Sequence, residues 1–218
     1  MSSPTARIFV TGTDTDIGKT FVSALLVKCW GLNYWKPIQT GLSEDPGDTA
    51  TVNRLLESSG GIPKASTIFE PACTYLKPLS PWRCTVLENR EEIKLDNFKL
   101  PVINENNSST GIIIEGAGGL LVPISKNIFT TNLIKHLNAS VILVASSELG
   151  TLNHTLMSME ILKQNDIPVI GIILNGNINE DNAQTLSELG IKIIAQIPKA
   201  KNLEDVVPCI PKFEELFK

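Results

Sequence analysis

Apolar residues in this chain gather into short runs with few polar interruptions instead of alternating regularly with polar ones. The runs cover residues 7–11, 111–114, 140–145, 169–174 and 191–197, each rich in β-branched side chains and too short for a helix. A strand that is apolar at successive positions has to be buried on both faces, as in a parallel sheet with helices above and below it. Residues 34–36 read as one more short strand, closed by Pro37. Between the runs, mixed apolar and polar stretches predict helices over 19–30, 49–58, 131–137, 152–165 and 180–189. This alternation predicts an α/β fold: a doubly wound, mostly parallel sheet with right-handed crossovers and a ligand crevice at the carboxyl ends of the strands.

Residues 60–109 break the pattern. Prolines at 63, 71, 78, 81 and 101 punctuate them, and the polar tract 104–110 reads as an exposed loop. No internal repeat divides the 218 residues, so a single domain over 1–218 is expected. With 19 basic against 23 acidic residues the net charge is -4, which argues against nucleic acid or an anionic membrane as partner and favours a small molecule. Cys29, Cys73, Cys84 and Cys209 form no CxxC pair and have no histidine at metal-ligand spacing, which predicts reduced thiols in a cytoplasmic protein. The first strand begins too early for a secretory leader, and no apolar run is long enough to cross a bilayer.

The most informative segment is Gly12-Thr13-Asp14-Thr15-Asp16-Ile17-Gly18-Lys19-Thr20, set between an apolar strand and an apolar helix. Glycines there let backbone N–H groups close around phosphate oxygens, the helix N-terminus adds positive charge, Lys19 neutralises, and the Thr20 hydroxyl can ligate magnesium. The expected fold is therefore of the P-loop nucleoside-triphosphate hydrolase type. Five residues separate Gly12 from Gly18, one more than in the common loop. Lys36 stands at the carboxyl end of the short strand at 34–36, where it either faces the ligand crevice or is a solvated lysine before a turn. Glu115 ends the run at 111–114 and precedes Gly116-Ala117-Gly118-Gly119, a costly place for an unpaired charge. With Thr20 and Asp48 it offers hard oxygen ligands suited to magnesium, although Asp48 before a helix is also an ordinary capping residue. Asn175-Gly176 offers an amide to a base or forms a plain turn, and Gly150-Thr151-Leu152-Asn153 starts a helix that binds a carboxylate or is merely capped. His136 and His154 lack an acid or thiol partner and read as structural or solvated.

Taken together, residues 12–20, Lys36-Pro37-Ile38-Gln39-Thr40-Gly41, Asp48, Ser80-Pro81, residues 115–119 and Gly150-Thr151-Leu152-Asn153-His154 resemble the dethiobiotin synthetase family in order and spacing. The likeness spans nearly the whole chain. It implies an ATP- and Mg2+-dependent ligase that closes a cyclic urea from 7,8-diaminononanoate and CO2, in biotin synthesis, through a carbamic-phosphoric anhydride. It implies catalytic roles for Lys19 on the nucleotide phosphates and for Lys36 on the carbamate and the transferring phosphoryl group. Thr20, Asp48 and Glu115 would bind Mg2+. The nucleotide would lie against Asp16, Ile17, Gly18, Lys19, Thr20, Phe21, Asp48, Glu115, Gly116, Ala117 and Gly118. Asn175 and Gly176 would meet the adenine, with Pro198, Lys199, Ala200 and Asp205 completing the base and ribose pocket. Thr15 and Thr40 would touch the diamine. Its carboxylate would rest on the helix start at Gly150, Thr151, Leu152 and Asn153 across the interface of a homodimer.

Two features depart from the family pattern. Trp82 follows Ser80-Pro81 where bacterial members often have histidine, and residues 88–110 predict a shortened helix with a longer loop in place of a clean amphipathic helix. Competing readings are weaker. ATPase switches that partition or position cargo usually carry an extra lysine near the loop start, where Asp14 stands here. Amide- or chelate-forming ligases of cobalamin synthesis are normally fused to a glutamine-hydrolysing domain for which this chain is too short. A binding module without turnover would not need Lys19, Lys36, Asp48 and Glu115 intact.

Overall fold

The apolar runs become five strands of a seven-stranded sheet, in a computed structural model that describes residues 6–102, 109 and 111–217. The first half of the chain supplies β1 Ala6–Gly12, α1 Lys19–Trp30, β2 Asn33–Trp35, β3 Ile38–Gln39, α2 Asp48–Glu57, β4 Ile68–Phe69, β5 Cys73–Thr74 and α3 Pro81–Leu87. The second half supplies β6 Gly111–Gly119, β7 Pro123–Ser125, β8 Ile128–Phe129, α4 Thr130–His136, β9 Ser140–Ser146, α5 Thr151–Gln164, β10 Val169–Asn175, α6 Glu180–Glu188 and β11 Ile193–Ile197. The strand order is β11-β10-β9-β1-β6-β2-β4, and every pairing in this sheet is parallel.

Successive residues of the inner strands enter opposite layers, which is why the runs contain no polar alternation. Ile8 and Val10 join Ile113, Ile142 and Val144 in one layer beneath α1 and α2. Phe9 joins Ile112, Ile114, Val141 and Leu143 in the other, packed with Leu133 and Ile134 of α4 and Leu162 of α5. Both layers are fully enclosed, so truncating a central side chain such as Leu25 of α1 to alanine should cost about 2–5 kcal/mol.

Several expectations change. Strand β6 continues past residue 114 to Gly119, so Glu115 sits within the strand and not at its end. Strand β11 begins at Ile193 instead of residue 191. The expected shortened helix after residue 88 does not form in the described part; only a 3-10 turn, Leu95–Asn97, is present there. The reason lies in spacing: Ile93 and Phe98 are the buried side chains of this stretch, and five residues apart they do not share a helical face. Most of the polar tract 104–110 lies outside the described residues. Helix α3 was not anticipated, although Ser80 at its N-cap and Pro81 at its first position are a recognisable start signal. The short pairs β3 with β5 and β7 with β8 are also new, as is β4 at the sheet edge. No described helix is long and apolar enough to cross a membrane.

Candidate functional site

The loop from β1 to α1 is held in shape from within and from a neighbouring strand. Gly18 adopts φ 87°, and a Cβ there would lie 2.2 Å from the Asn175 amide nitrogen, so the position admits only glycine. Asn175, the last residue of β10, donates its Nδ2 to the Ile17 carbonyl at 2.8 Å. Asp16 is also left-handed, at φ 54°. No side chain caps the N-terminus of α1. Lys19 is buried and reaches back to donate its Nζ to the Asp14 carbonyl at 2.7 Å. Burial, and next the charge of Lys36, hold its pKa below the ordinary lysine value.

Beside this loop, three elements deliver one ionic cluster. The Lys36 Nζ lies 2.5 Å from Asp48 Oδ2 and 3.3 Å from Glu115 Oε1, and it donates to the Gly116 carbonyl at 2.8 Å. The Thr20 hydroxyl sits 2.9 Å from Asp48 Oδ1 and 2.8 Å from Glu115 Oε1. Asp48 is the first residue of α2, behind a Gly47 N-cap, so its carboxylate serves the cluster and the capping reading falls away. Its backbone N–H is held by Gln39 Oε1 at 2.8 Å. Burial would lower the pKa of Lys36, but Glu115 and Asp48 more than offset it and hold the ammonium above its ordinary value. For Asp48 burial acts upward, and Lys36 outweighs it, leaving the carboxyl below its usual range.

The donor set fits a hard divalent cation. The Thr20 hydroxyl has one proton to share between Asp48 Oδ1 and Glu115 Oε1, the second of which also takes the Lys36 ammonium at 3.3 Å, so three oxygens converge on one point. All are oxygen ligands of the type Mg2+ selects. Among the described residues no group of three or more His, Cys, Asp or Glu is placed to hold a metal ion.

The cluster opens into a cleft of about 950 Å3, which collects Thr15, Asp16, Gly18, Lys19, Thr20, Lys36, Thr40, Asp48, Glu115, Ala117 and Gly118. Gly116 meets Lys36 of this lining through its carbonyl, whereas the Ile17 carbonyl turns to Asn175, outside it. Phe21 is half-buried and packs against the layer under α1. The remaining predicted residues lie outside the cleft lining. Asn175 and Gly176 stand at the carboxyl end of β10 beside β11, with Gly176 N–H bonded to the Ile197 carbonyl at 2.9 Å, and Pro198 follows directly. Lys199 pairs with Glu148 at 3.1 Å on the surface, Ala200 packs on the layer under α1, and Asp205 is exposed. Gly150 and Asn153 are exposed and Thr151 is buried at the start of α5, with Leu152 half-buried. Sequence reasoning missed Gln39 and, above all, Tyr34, whose hydroxyl donates to Glu115 Oε2 at 2.9 Å. Spacing held the clue: Tyr34 stands two positions before Lys36, on the same side of an extended chain. Burial and then Glu115 keep the Tyr34 phenol well above its ordinary pKa. A second hollow of about 500 Å3, near Cys73, Tyr75 and Arg90, contains none of these residues.

Fold, loop and cluster define a nucleotide-dependent enzyme of the P-loop class. A family model described as an AAA domain matches residues 6–207. ATP-dependent dethiobiotin synthetase BioD of Lawsonia intracellularis is 37% identical, over 97% of this chain and 98% of that protein. BioD of Paramagnetospirillum magneticum is 39% identical over 87% and 86%. The biotin biosynthesis bifunctional protein BioCD of Bordetella avium is 43% identical over 88% of this chain, which spans only 39% of that longer protein. The chain belongs to the dethiobiotin synthetase family. Among solved structures, the cell division ATPase MinD of Pyrococcus furiosus superposes with a TM-score of 0.53 at 18% identity, covering 89% of this chain and 84% of that one. MinD of Aquifex aeolicus gives 0.51 at 14%, covering 93% and 86%; both share the fold alone.

Proposed function

We propose that residues 1–218 act as one catalytic domain, a dethiobiotin synthetase that closes the ureido ring from 7,8-diaminononanoate, CO2 and ATP. The observation that carries the reading is the buried Lys36 ammonium, held by two carboxylates beside the phosphate loop. One amine of the diamine adds to CO2 and loses a proton, giving a carbamate. A carbamate oxygen attacks the γ-phosphorus, ADP leaves, and the second amine displaces phosphate from the carbonyl carbon. The negative charge spreading over carbamate and phosphoryl oxygens needs a fixed cation more than a base. Lys36 suits that role because its raised pKa keeps it charged and unable to accept a proton at neutral pH. Lys19 would follow the leaving phosphates, and Thr15 and Thr40 would orient the diamine from the cleft wall. Thr20, Asp48 and Glu115 would hold Mg2+, which when bound neutralises phosphate charge and orients it for in-line transfer.

Asn175 reads the adenine in this proposal while it braces Ile17, with Gly176, Pro198, Lys199, Ala200 and Asp205 along the same edge. The exposed start of α5, absent from the cleft of its own protomer, fits a carboxylate site offered to a second copy in a cytoplasmic homodimer. The test is direct. Purified protein with diaminononanoate, bicarbonate and Mg2+-ATP should release phosphate in step with dethiobiotin. Phosphate release without the diamine would overturn the ligase reading.

A further inference from the structure

Glu115 is 1% exposed and has two oxygens in unequal surroundings. Its Oε1 meets the Thr20 hydroxyl and the Lys36 ammonium, and so faces the loop. Its Oε2 accepts from the Tyr34 hydroxyl at 2.9 Å, at the bottom of the site where no solvent reaches. Tyr34 itself is fully enclosed in the layer under α1, and β2 and β6 fix its distance from Glu115 by pairing Tyr34 with Ile113 and Trp35 with Ile114. Neither the phosphate loop nor the transfer step calls for a phenol at this position. Phenylalanine would fill the same apolar space, so the hydroxyl needs another explanation.

We infer that Tyr34 is a positioning residue that sets the cation preference of the site, by engaging Glu115 Oε2 so that Glu115 offers a cation only Oε1. The inference rests on the reading of Thr20, Asp48 and Glu115 as the Mg2+ ligands. Its physical basis is the difference between the two common hard cations. Mg2+ is small, takes six oxygens and binds carboxylates through single oxygens, whereas Ca2+ takes up to eight and readily accepts both oxygens of one carboxylate. A carboxylate pinned through its far oxygen serves the first and penalises the second. Deleting the hydroxyl releases Oε2 and lets Glu115 turn both oxygens toward the loop.

The probe is a non-hydrolysable ATP analogue titrated calorimetrically into wild type and Tyr34→Phe, with either Mg2+ or Ca2+ as the sole divalent cation. The ratio of the two affinities should fall about tenfold in Tyr34→Phe, through weaker binding with Mg2+, tighter binding with Ca2+, or both. Analogue binding without any divalent cation should stay within about twofold. A ratio unchanged within twofold overturns the inference, as does an equal loss with both cations, which would mark Tyr34 as merely structural. If Tyr34→Phe does not fold, Tyr34→Leu and Tyr34→Met give the same readout: the ratio should fall in both, and a ratio unchanged within twofold in either overturns the inference. Should the preference shift in a protein that makes no dethiobiotin, the proposed reaction fails while the role of Tyr34 stands.

Discussion

Lys36 combines burial, a full positive charge and two acidic neighbours, and each property constrains what it can do. A buried lysine without partners would shed its proton; this one keeps it because Asp48 and Glu115 flank it. Lys36→Ala should lower kcat by about 100- to 1000-fold, the usual cost of removing one preorganised charge-stabilising donor. Nucleotide affinity, measured by calorimetry, should change far less, since the lost interaction acts on charge that develops during transfer. Equal losses in both would contradict the assignment. Asp48 makes a second prediction through its depressed pKa. A group of this sign stabilises the fold above its unfolded value, near pH 3.9, and the contribution is lost as pH falls through the lower folded value. Wild type should therefore exceed Asp48→Asn in thermal stability at pH 7, and the gap should close below about pH 4. A gap that widens in acid would show the sign to be wrong.

At the scale of elements, α1 shows what a sequence can carry. Its limits, Lys19–Trp30, coincide with the expected helix because a glycine in the left-handed region stands at each end, Gly18 and Gly31. The inner strands were legible for a similar reason: burial on both faces leaves an apolar run with few polar interruptions. Short edge pieces carry no such mark. Ile68–Phe69 joins the sheet through two residues, and α3 spans less than two full turns, so neither builds a periodic signal. The site divides in the same way. Lys19, Lys36, Asp48 and Glu115 stand out as charges beside glycine or proline. Tyr34 lacks that mark: its place two positions before Lys36 puts it on the same side of the strand, but only the fold shows that its hydroxyl faces a carboxylate 81 positions away. Gly18 supplies the test of the loop as a unit. Gly18→Ala should weaken ATP binding at least about tenfold, because a Cβ 2.2 Å from Asn175 Nδ2 displaces the brace on Ile17, and strain at this φ costs about 1–3 kcal/mol. Unaltered ATP binding would mean that the loop tolerates a shape it should not.

At the scale of the molecule, the proposed homodimer makes a claim about how the site is distributed over the surface. The cleft holds the phosphate loop and the ionic cluster, yet the start of α5 lies outside its lining. Around that start, Leu149, Leu156 and Met157 expose apolar side chains, a local excess that a subunit interface would cover. If a second copy brings its α5 to the cleft mouth, the diamine carboxylate gains uncapped N–H groups there, since Gly150 offers no side chain to cap them. Charging this surface should then separate two kinetic constants that a defect within one protomer would move together. Met157→Glu should shift the protein toward monomer in light scattering and raise KM for the diamine, while KM for ATP stays within about twofold of wild type. The diamine defect should shrink as protein concentration rises, because mass action restores the pair. A wild-type protein that is monomeric at assay concentration and fully active would remove the second subunit from the site altogether.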